Sequence, residues 1–167
     1  MSDNLLELAQ NGSSLKNSPK EKVSVLEVVN DAVSKVNKLT KAKQIKIENK
    51  VKDIEVLGIK DRLTEVFVIL LDNSIKYSRK KGKVEIASKQ TGGKVEISIT
   101  DHGMGISEKD LPHIFDRFYR SDESRSENGY GLGLSIAKKI VESHKGSISA
   151  ASNSGKGTIF KIFLPIS

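Results

Sequence analysis

Val25, Val29, Ala32, Val33 and Val36 recur at helical intervals behind Ser24 and Glu27, whose spacing is that of a capping box. They predict a first helix running to about Ala42. Ile45 and Ile47 then alternate with polar residues before Val51, a strand pattern, and Glu55 to Gly58 supplies a second short strand. Asp61 stands where a cap would open the next helix. There Leu63, Val66, Phe67, Leu70, Leu71 and Ser74 fall on one apolar face, and Glu65, Ile69, Asn73 and Lys76 form a stripe beside it. An asparagine and a lysine at the edge of a buried face suit the lining of a cleft.

Further along, Val84, Ile86 and Ala87 make a strand, Thr91-Gly92-Gly93 a tight turn, and Val95, Ile97 and Ile99 the returning strand of a hairpin that runs straight into Asp101. A largely polar and charged stretch of more than twenty residues follows Gly105. Within them Ser107 and Asp110 signal a short helix with Ile114, Phe115 and Phe118 on one face, and a loop of this length is usually functional or disordered. Gly133 opens a third helix with Leu134, Ala137, Ile140 and Val141 inward, ending at Gly146 in a position suited to a left-handed cap. Ser147 to Ala151 and Thr158 to Leu164 form a closing hairpin. This order describes a sheet with helices on one face. Ahead of it, residues 1–12 read as the tail of a helix and residues 13–19 as a linker, so that the domain proper covers residues 20–167.

With 167 residues, 37% hydrophobic and 29% charged, the chain suits one domain with a real core. Aromatics are scarce at 5% and tryptophan is absent, which leaves the core to Ile, Val and Leu. Zero cysteines exclude disulfides and thiolate metal sites and fit the cytoplasm. No stretch approaches the roughly 20 apolar residues that span a bilayer. The net charge of +7 suits polyanions in general. Its lysines are spread, without the interleaved aromatics on which bases would stack, and nucleic acid is not the expected partner.

Four clusters carry candidate chemistry: Asn73, Lys76 and Tyr77; Asp101 to Gly105; Phe115 to Arg120; and Gly129-Tyr130-Gly131-Leu132-Gly133-Leu134. A buried carboxylate at a strand end, Asp101, can accept a hydrogen bond from an exocyclic amine such as that of adenine, although a turn aspartate reads equally well there. Gly103 and Gly105 let backbone approach a flat ring. Gly129, Gly131 and Gly133 precede a helix start, where free N–H groups favour phosphate. The context is neither a Rossmann fingerprint, which follows a strand directly, nor a Walker loop, which ends in Lys-Ser or Lys-Thr. Asn73 suits Mg²⁺ through its carbonyl oxygen, and Lys76 and Arg120 suit phosphate charge. His102, His113 and His144 have no paired ligand spacing, so neither a zinc site nor a nucleophile triad is expected.

In this order the clusters resemble the catalytic and ATP-binding domain of sensor histidine kinases, within the wider Bergerat-type group of gyrase, chaperone and kinase ATPases. Asp72 to Ser78 resembles the family's N box, Asp101-His102-Gly103-Met104-Gly105-Ile106 its G1 box, Phe115 to Arg120 its F box, Gly129 to Leu134 its G2 box, and Gly155-Lys156-Gly157-Thr158 its last glycine box. The resemblance implies an α/β two-layer sandwich, a mixed sheet covered on one face by three helices, with a long ATP lid over residues 104–130. It implies ATP and Mg²⁺ as cofactors, with Asn73 on the metal, Asp101 reading adenine and Thr158 supporting that contact. Met104 and Ile106 would line the base, Lys76, Tyr77 and Tyr119 would approach phosphate and ribose, Arg120 the γ-phosphate, and the glycines with Tyr130, Leu132 and Leu134 would hold the phosphates. Asn73, Lys76 and Arg120 carry catalysis in this reading.

The implied partners are a histidine-bearing dimerisation domain of the same kinase and the receiver domain of a response regulator, in a homodimeric, membrane-attached parent whose catalytic part is cytoplasmic. Three positions depart from the family pattern. Ile69 stands where kinases commonly have a first asparagine and where hydrolytic relatives carry a glutamate base, so very slow ATP hydrolysis is expected. His102 replaces a common asparagine and Tyr130 a small hydroxyl residue. A serine-kinase anti-sigma factor of the same superfamily, and a basic nucleic-acid-binding module, are the competing readings.

Overall fold

Alternation of buried and half-exposed side chains along the central strands fixes one apolar face, and the helices close over it. The computed structural model describes residues 19–119, 133–153 and 155–166. Its elements are β1 (Glu21–Ser24), α1 (Val25–Lys35), α2 (Asn37–Lys43), β2 (Lys46–Lys50), β3 (Glu55–Gly58), α3 (Lys60–Tyr77), β4 (Lys83–Thr91), β5 (Lys94–Asp101), a 3₁₀ turn (Leu111–His113), α4 (Gly133–Ser143), β6 (Ser147–Asn153) and β7 (Gly157–Pro165). A five-stranded sheet has the order β2-β4-β5-β7-β6, parallel between β2 and β4 and antiparallel elsewhere. Val84 and Ile86, then Val95, Ile97 and Ile99, then Phe160, Ile162 and Leu164 are its buried rows. Helix α3 lies over β5 between α1 and α4, and the expected sandwich of mixed sheet and helices is what the chain forms.

Several elements differ from expectation in instructive ways. The first helical segment does reach Lys43, but it is interrupted at Val36. Val36 stays in the core while α2 has no buried residue, so the helix turns away where its apolar stripe ends. Ser24 caps α1 by accepting from Glu27 N–H at 3.2 Å. The box is only half made, because the Glu27 carboxylate faces Lys60 at 3.6 Å. Glu21 to Ser24 also forms β1, paired antiparallel with β3 in a two-stranded ribbon, an element that the cap signal concealed. Asp61 does not cap α3: the helix starts at Lys60 with Ile59 at the cap position and no side-chain bond there. Asp61 lies in the first turn, where its charge still suits the helix dipole.

After α4 the left-handed residue is Lys145, at φ 60°, and not Gly146. Gly146 is required for closeness instead, since a Cβ there would be driven into the carbonyl of Phe163. The segment after Ser107 makes a turn and then the 3₁₀ turn rather than a regular helix. Ile114 is buried and Phe115 meets Phe160 edge-on at 6.5 Å. Phe118 departs from their face: at φ 63° its backbone is left-handed and its side chain is 56% exposed.

His144, only 3% exposed, ties the end of α4 to the start of α3. Its Nδ1 lies 2.8 Å from the Ile140 carbonyl and its Nε2 accepts from Ile59 N–H at 3.1 Å, an arrangement that needs the neutral ring protonated on Nδ1. Burial pushes its pKa down. The folded state therefore resists taking the proton that the unfolded chain binds near the ordinary value of 6.5. Stability from this contact is full above that pH and is lost as pH falls below it. We predict that a denaturation series from pH 8 to pH 5 shows this loss in the wild type and a flatter profile in His144→Leu. At pH 8 the variant should be less stable by about 1–3 kcal/mol, from the buried N–H left unpaired.

Candidate nucleotide site

The C-terminal turn of α3 meets the end of β5, and both are held against the start of β7. Tyr77 O accepts the Met104 N–H at 3.1 Å. Gly103 sits so close that a Cβ would collide with that same carbonyl, and no other residue permits the approach. On the far side Asp101 pairs with Thr158 in the β5–β7 register, and Gly157, at φ 115°, packs against the Asp101 carbonyl. The segment 103–106 is pinned from below: Gly155 N–H donates to Met104 O at 2.5 Å and Ile106 N–H to Ser152 Oγ at 2.6 Å. Ser152 in turn donates to Gly157 O at 2.8 Å and lies 2.9 Å from Thr158 Oγ1.

Asp101 is 4% exposed, with one carboxylate oxygen accepting Gly103 N–H at 3.0 Å. Burial raises its pKa, against the backbone N–H groups of Gly103 and Thr158, the His102 ring and the Ser74 hydroxyl, which favour the charged form. Ser74 Oγ is itself buried and near enough to favour the charged carboxylate, yet it makes no hydrogen bond of good geometry to Asp101 or to any other described residue. A buried carboxylate and an orphaned hydroxyl, beside backbone cleared by Gly103 and Gly157, fit a flat, amine-bearing heterocycle that would satisfy both.

Asn73, Lys76 and Tyr77 line the adjacent edge of α3, all half-buried. Lys76 is paired with Asp72 at 3.3 Å, one helical turn away. Ile69, one turn before Asn73, lies against Gly133 at the start of α4, where Leu134 packs half-buried on the core. Gly105 takes φ 73° and Met104 is 43% exposed at the rim. Tyr119 does not point freely into the cleft: its hydroxyl donates to Asp110, and this bond, followed by that of Ser107, lowers the Asp110 pKa. Arg120, Gly129, Tyr130, Gly131 and Leu132 lie outside the described residues, as does much of the expected lid. Among the described residues no cluster of three or more His or acidic side chains could hold a metal unaided. Ser152 went unread in the sequence, where it is one of several serines in a strand, and only its inward alternation with Ala151 marks it.

The sandwich, with its polar helix edge beside a cleared acidic pocket, is the fold of the ATP-binding domains of sensor kinases. The chain belongs to the histidine kinase-, DNA gyrase B- and HSP90-like ATPase family, whose profile matches residues 58–167. It is similar to the signal transduction histidine-protein kinase ArlS of Staphylococcus aureus strain USA300, 37% identical over 162 residues that cover 96% of this chain and 36% of the relative. The chain thus spans about a third of the length of the curated relatives it matches. The mycobacterial sensor histidine kinase MprB superposes with a TM-score of 0.78 at 31% identity, over 88% of this chain and 97% of the other. Full-length ShkA, solved in complex with AMPPNP, shares the fold at TM-score 0.86 and 21% identity, over 99% of this chain and 35% of that one.

The raised pKa of Asp101 yields a sign that separates function from stability. The folded chain binds this proton more tightly than the unfolded chain, whose carboxyl titrates near 3.8, so the ionised form costs stability at neutral pH. Asp101→Asn keeps the acceptor for Gly103 and removes the charge. The variant is expected to unfold at an equal or higher temperature at pH 7, an advantage that shrinks toward pH 3.8, and to bind an adenine nucleotide about tenfold or more weakly. Calorimetric melting paired with nucleotide titration checks both.

Proposed function

We propose that this domain holds ATP with Mg²⁺ as the catalytic part of a two-component sensor histidine kinase and presents the γ-phosphate to a histidine of a separate dimerisation domain. The observation that carries the reading is the joint built by Tyr77 O, Gly103 and Gly157, which sets the Asp101 pocket beside Asn73 and Lys76. Asp101 accepts the exocyclic amine of adenine, with Ser74 and Thr158 completing the acceptor set, while the 103–106 backbone lies along the ring. The Asn73 amide oxygen gives a metal ion one ligand, and the phosphates and water supply the rest, which is how Mg²⁺ is usually bound. Lys76 exchanges Asp72 for phosphate, Tyr77 lies toward the sugar, and the N–H groups at Gly133 and Leu134 open α4 toward anionic oxygens. Roles for Tyr119, Arg120, Gly129, Tyr130, Gly131 and Leu132 rest on the family resemblance.

Catalysis of this kind is positioning and charge neutralisation. No carboxylate stands at Ile69 to activate water, and Glu65 lies two turns from Asn73, about 12 Å along the axis, in a salt bridge with Arg62 at 3.1 Å. The phosphoryl group is therefore kept for a protein acceptor. The histidine would pass it on to an aspartate of a response regulator, and residues 1–12 and 13–19 would be the tail of the dimerisation helix and its linker. Among the described residues no helix is long and apolar enough to cross a membrane. The parent would be a membrane-attached homodimer with this domain in the cytoplasm.

Titration with AMPPNP, with and without Mg²⁺, tests the reading. Saturable binding is expected, strengthened by Mg²⁺, and Asn73→Ala should remove most of that strengthening; absence of saturable binding would end the proposal. Phosphate release from ATP by the domain alone should stay near background, and robust turnover would count against the role given to Ile69. With a dimerisation domain added in trans, label from ATP should appear as acid-labile phosphohistidine; acid-stable phosphoserine would favour the serine-kinase reading.

A further inference from the structure

Every carbonyl left open at the end of α3 finds a partner, and one side chain from outside the helix takes most of them. Ser74 O accepts from Ser78 Oγ at 2.7 Å, and Tyr77 O from Met104 N–H. Lys43 Nζ donates to Ile75 O at 3.0 Å, Lys76 O at 2.5 Å and Ser78 O at 3.2 Å, so its three protons meet three carbonyls. Its own backbone is fixed by the turn that follows α3, because Lys43 O accepts Lys81 N–H at 2.9 Å. Helix α2 buries no side chain in the core, and the Lys43 ammonium, part-buried at the negative end of the α3 dipole, ties it to the helix of the site.

Resting on the nucleotide reading, we infer that Lys43 is a positioning residue: a point charge that clamps the last turn of α3 and thereby fixes Asn73 and Lys76 relative to the base pocket, without touching nucleotide. The two halves of the site are held differently. Asp101, Gly157, Thr158 and Ser152 are fixed by the β5–β7–β6 ladder, whereas Asn73 and Lys76 ride on α3, which brings only Ser74 and Tyr77 to the base and sugar side. Loss of the clamp takes this partner from the Lys76 and Ser78 carbonyls and leaves Ile75 O only the Ser78 N–H at 3.3 Å, and the turn shifts to reach water. The phosphate-facing side chains then lose register with the base. Arginine does not replace the ammonium, since a planar fork cannot converge on three carbonyls around one point.

The test compares two probes, AMPPNP with Mg²⁺ and adenosine, on wild type, Lys43→Met and Lys43→Arg. Both variants should lose about tenfold or more in AMPPNP affinity while adenosine, held mainly by the ladder and touched by α3 only at Ser74 and Tyr77, loses several-fold less. The chain contains no cysteine, so Lys43→Cys can be converted by 2-bromoethylamine to the aminoethyl thioether, a lysine mimic at that position alone. Conversion should restore AMPPNP binding, which a merely structural lesion elsewhere would not allow. Unchanged AMPPNP affinity in folded Lys43→Met overturns the inference, as does equal weakening of both probes. If Lys43→Met does not fold, the selective loss in Lys43→Arg and the rescue of Lys43→Cys decide in the same way. Wild type that binds neither probe overturns the nucleotide reading itself, a result distinct from failure of the clamp.

Discussion

One close approach, the Gly103 backbone against the Tyr77 carbonyl, organises the molecule around it. Helix and sheet normally stand apart by the thickness of two side-chain layers, and here the distance collapses to backbone contact because glycine has no side chain to hold them apart. That approach allows the Met104 N–H to reach Tyr77 O, which ends α3 and starts the 103–106 segment in one hydrogen bond. It also leaves Ser74, one turn earlier on α3, close to Asp101 at the end of β5. The segment then has no freedom of its own, since Gly155 and Ser152 hold it from the opposite hairpin. A pocket formed in this way is set before any ligand arrives, so less ordering is needed when one binds.

The same geometry makes the ligand-free pocket costly. A carboxylate taken out of water with few partners, and a hydroxyl with no well-formed hydrogen bond, are unfavourable features in a core made mainly of Val, Ile and Leu. The pairing of Lys76 with Asp72 is a milder version of the same condition, a cation given a local partner that is easily exchanged. Fold and site pull in opposite directions at these positions, and the five-stranded sheet with its helices supplies the stability that allows it.

The larger elements were legible because their periods are strong. The α3 face from Leu63 to Ser74 and the β4–β5 hairpin follow from spacing alone, as does most of the inward row of α4, where Ile136 is buried unforeseen and Leu134 only half-buried. So did the four clusters, whose order identifies the family more surely than any single residue does. What escaped was set by tertiary context. β1 is four residues long and makes sense only against β3. The turn at Val36 depends on where the core stops, the role of Gly146 on how near Phe163 lies, and the left-handed backbone at Phe118 on packing that no local pattern encodes. Lys43 and Ser152 look like any surface lysine and strand serine until the carbonyls they serve are seen. Backbone groups carry no sequence signature, so residues that act on them are silent in a linear reading.

The floor of the pocket comes from the last strand of the sheet. Thr158 and Gly157 complete the surroundings of Asp101, and β7 is the strand to which β5 and β6 are both zipped. During synthesis, a chain that has emerged only as far as α4 has its helix edge and its aspartate but no floor beneath them, and it would give adenine little to hold. On the proposed reading, nucleotide binding would become possible only when β7 lies between its two neighbours, and the ligand would then add its free energy to the finished fold alone. The nucleotide would act as a check on completion, rewarding the assembled sheet and no earlier stage.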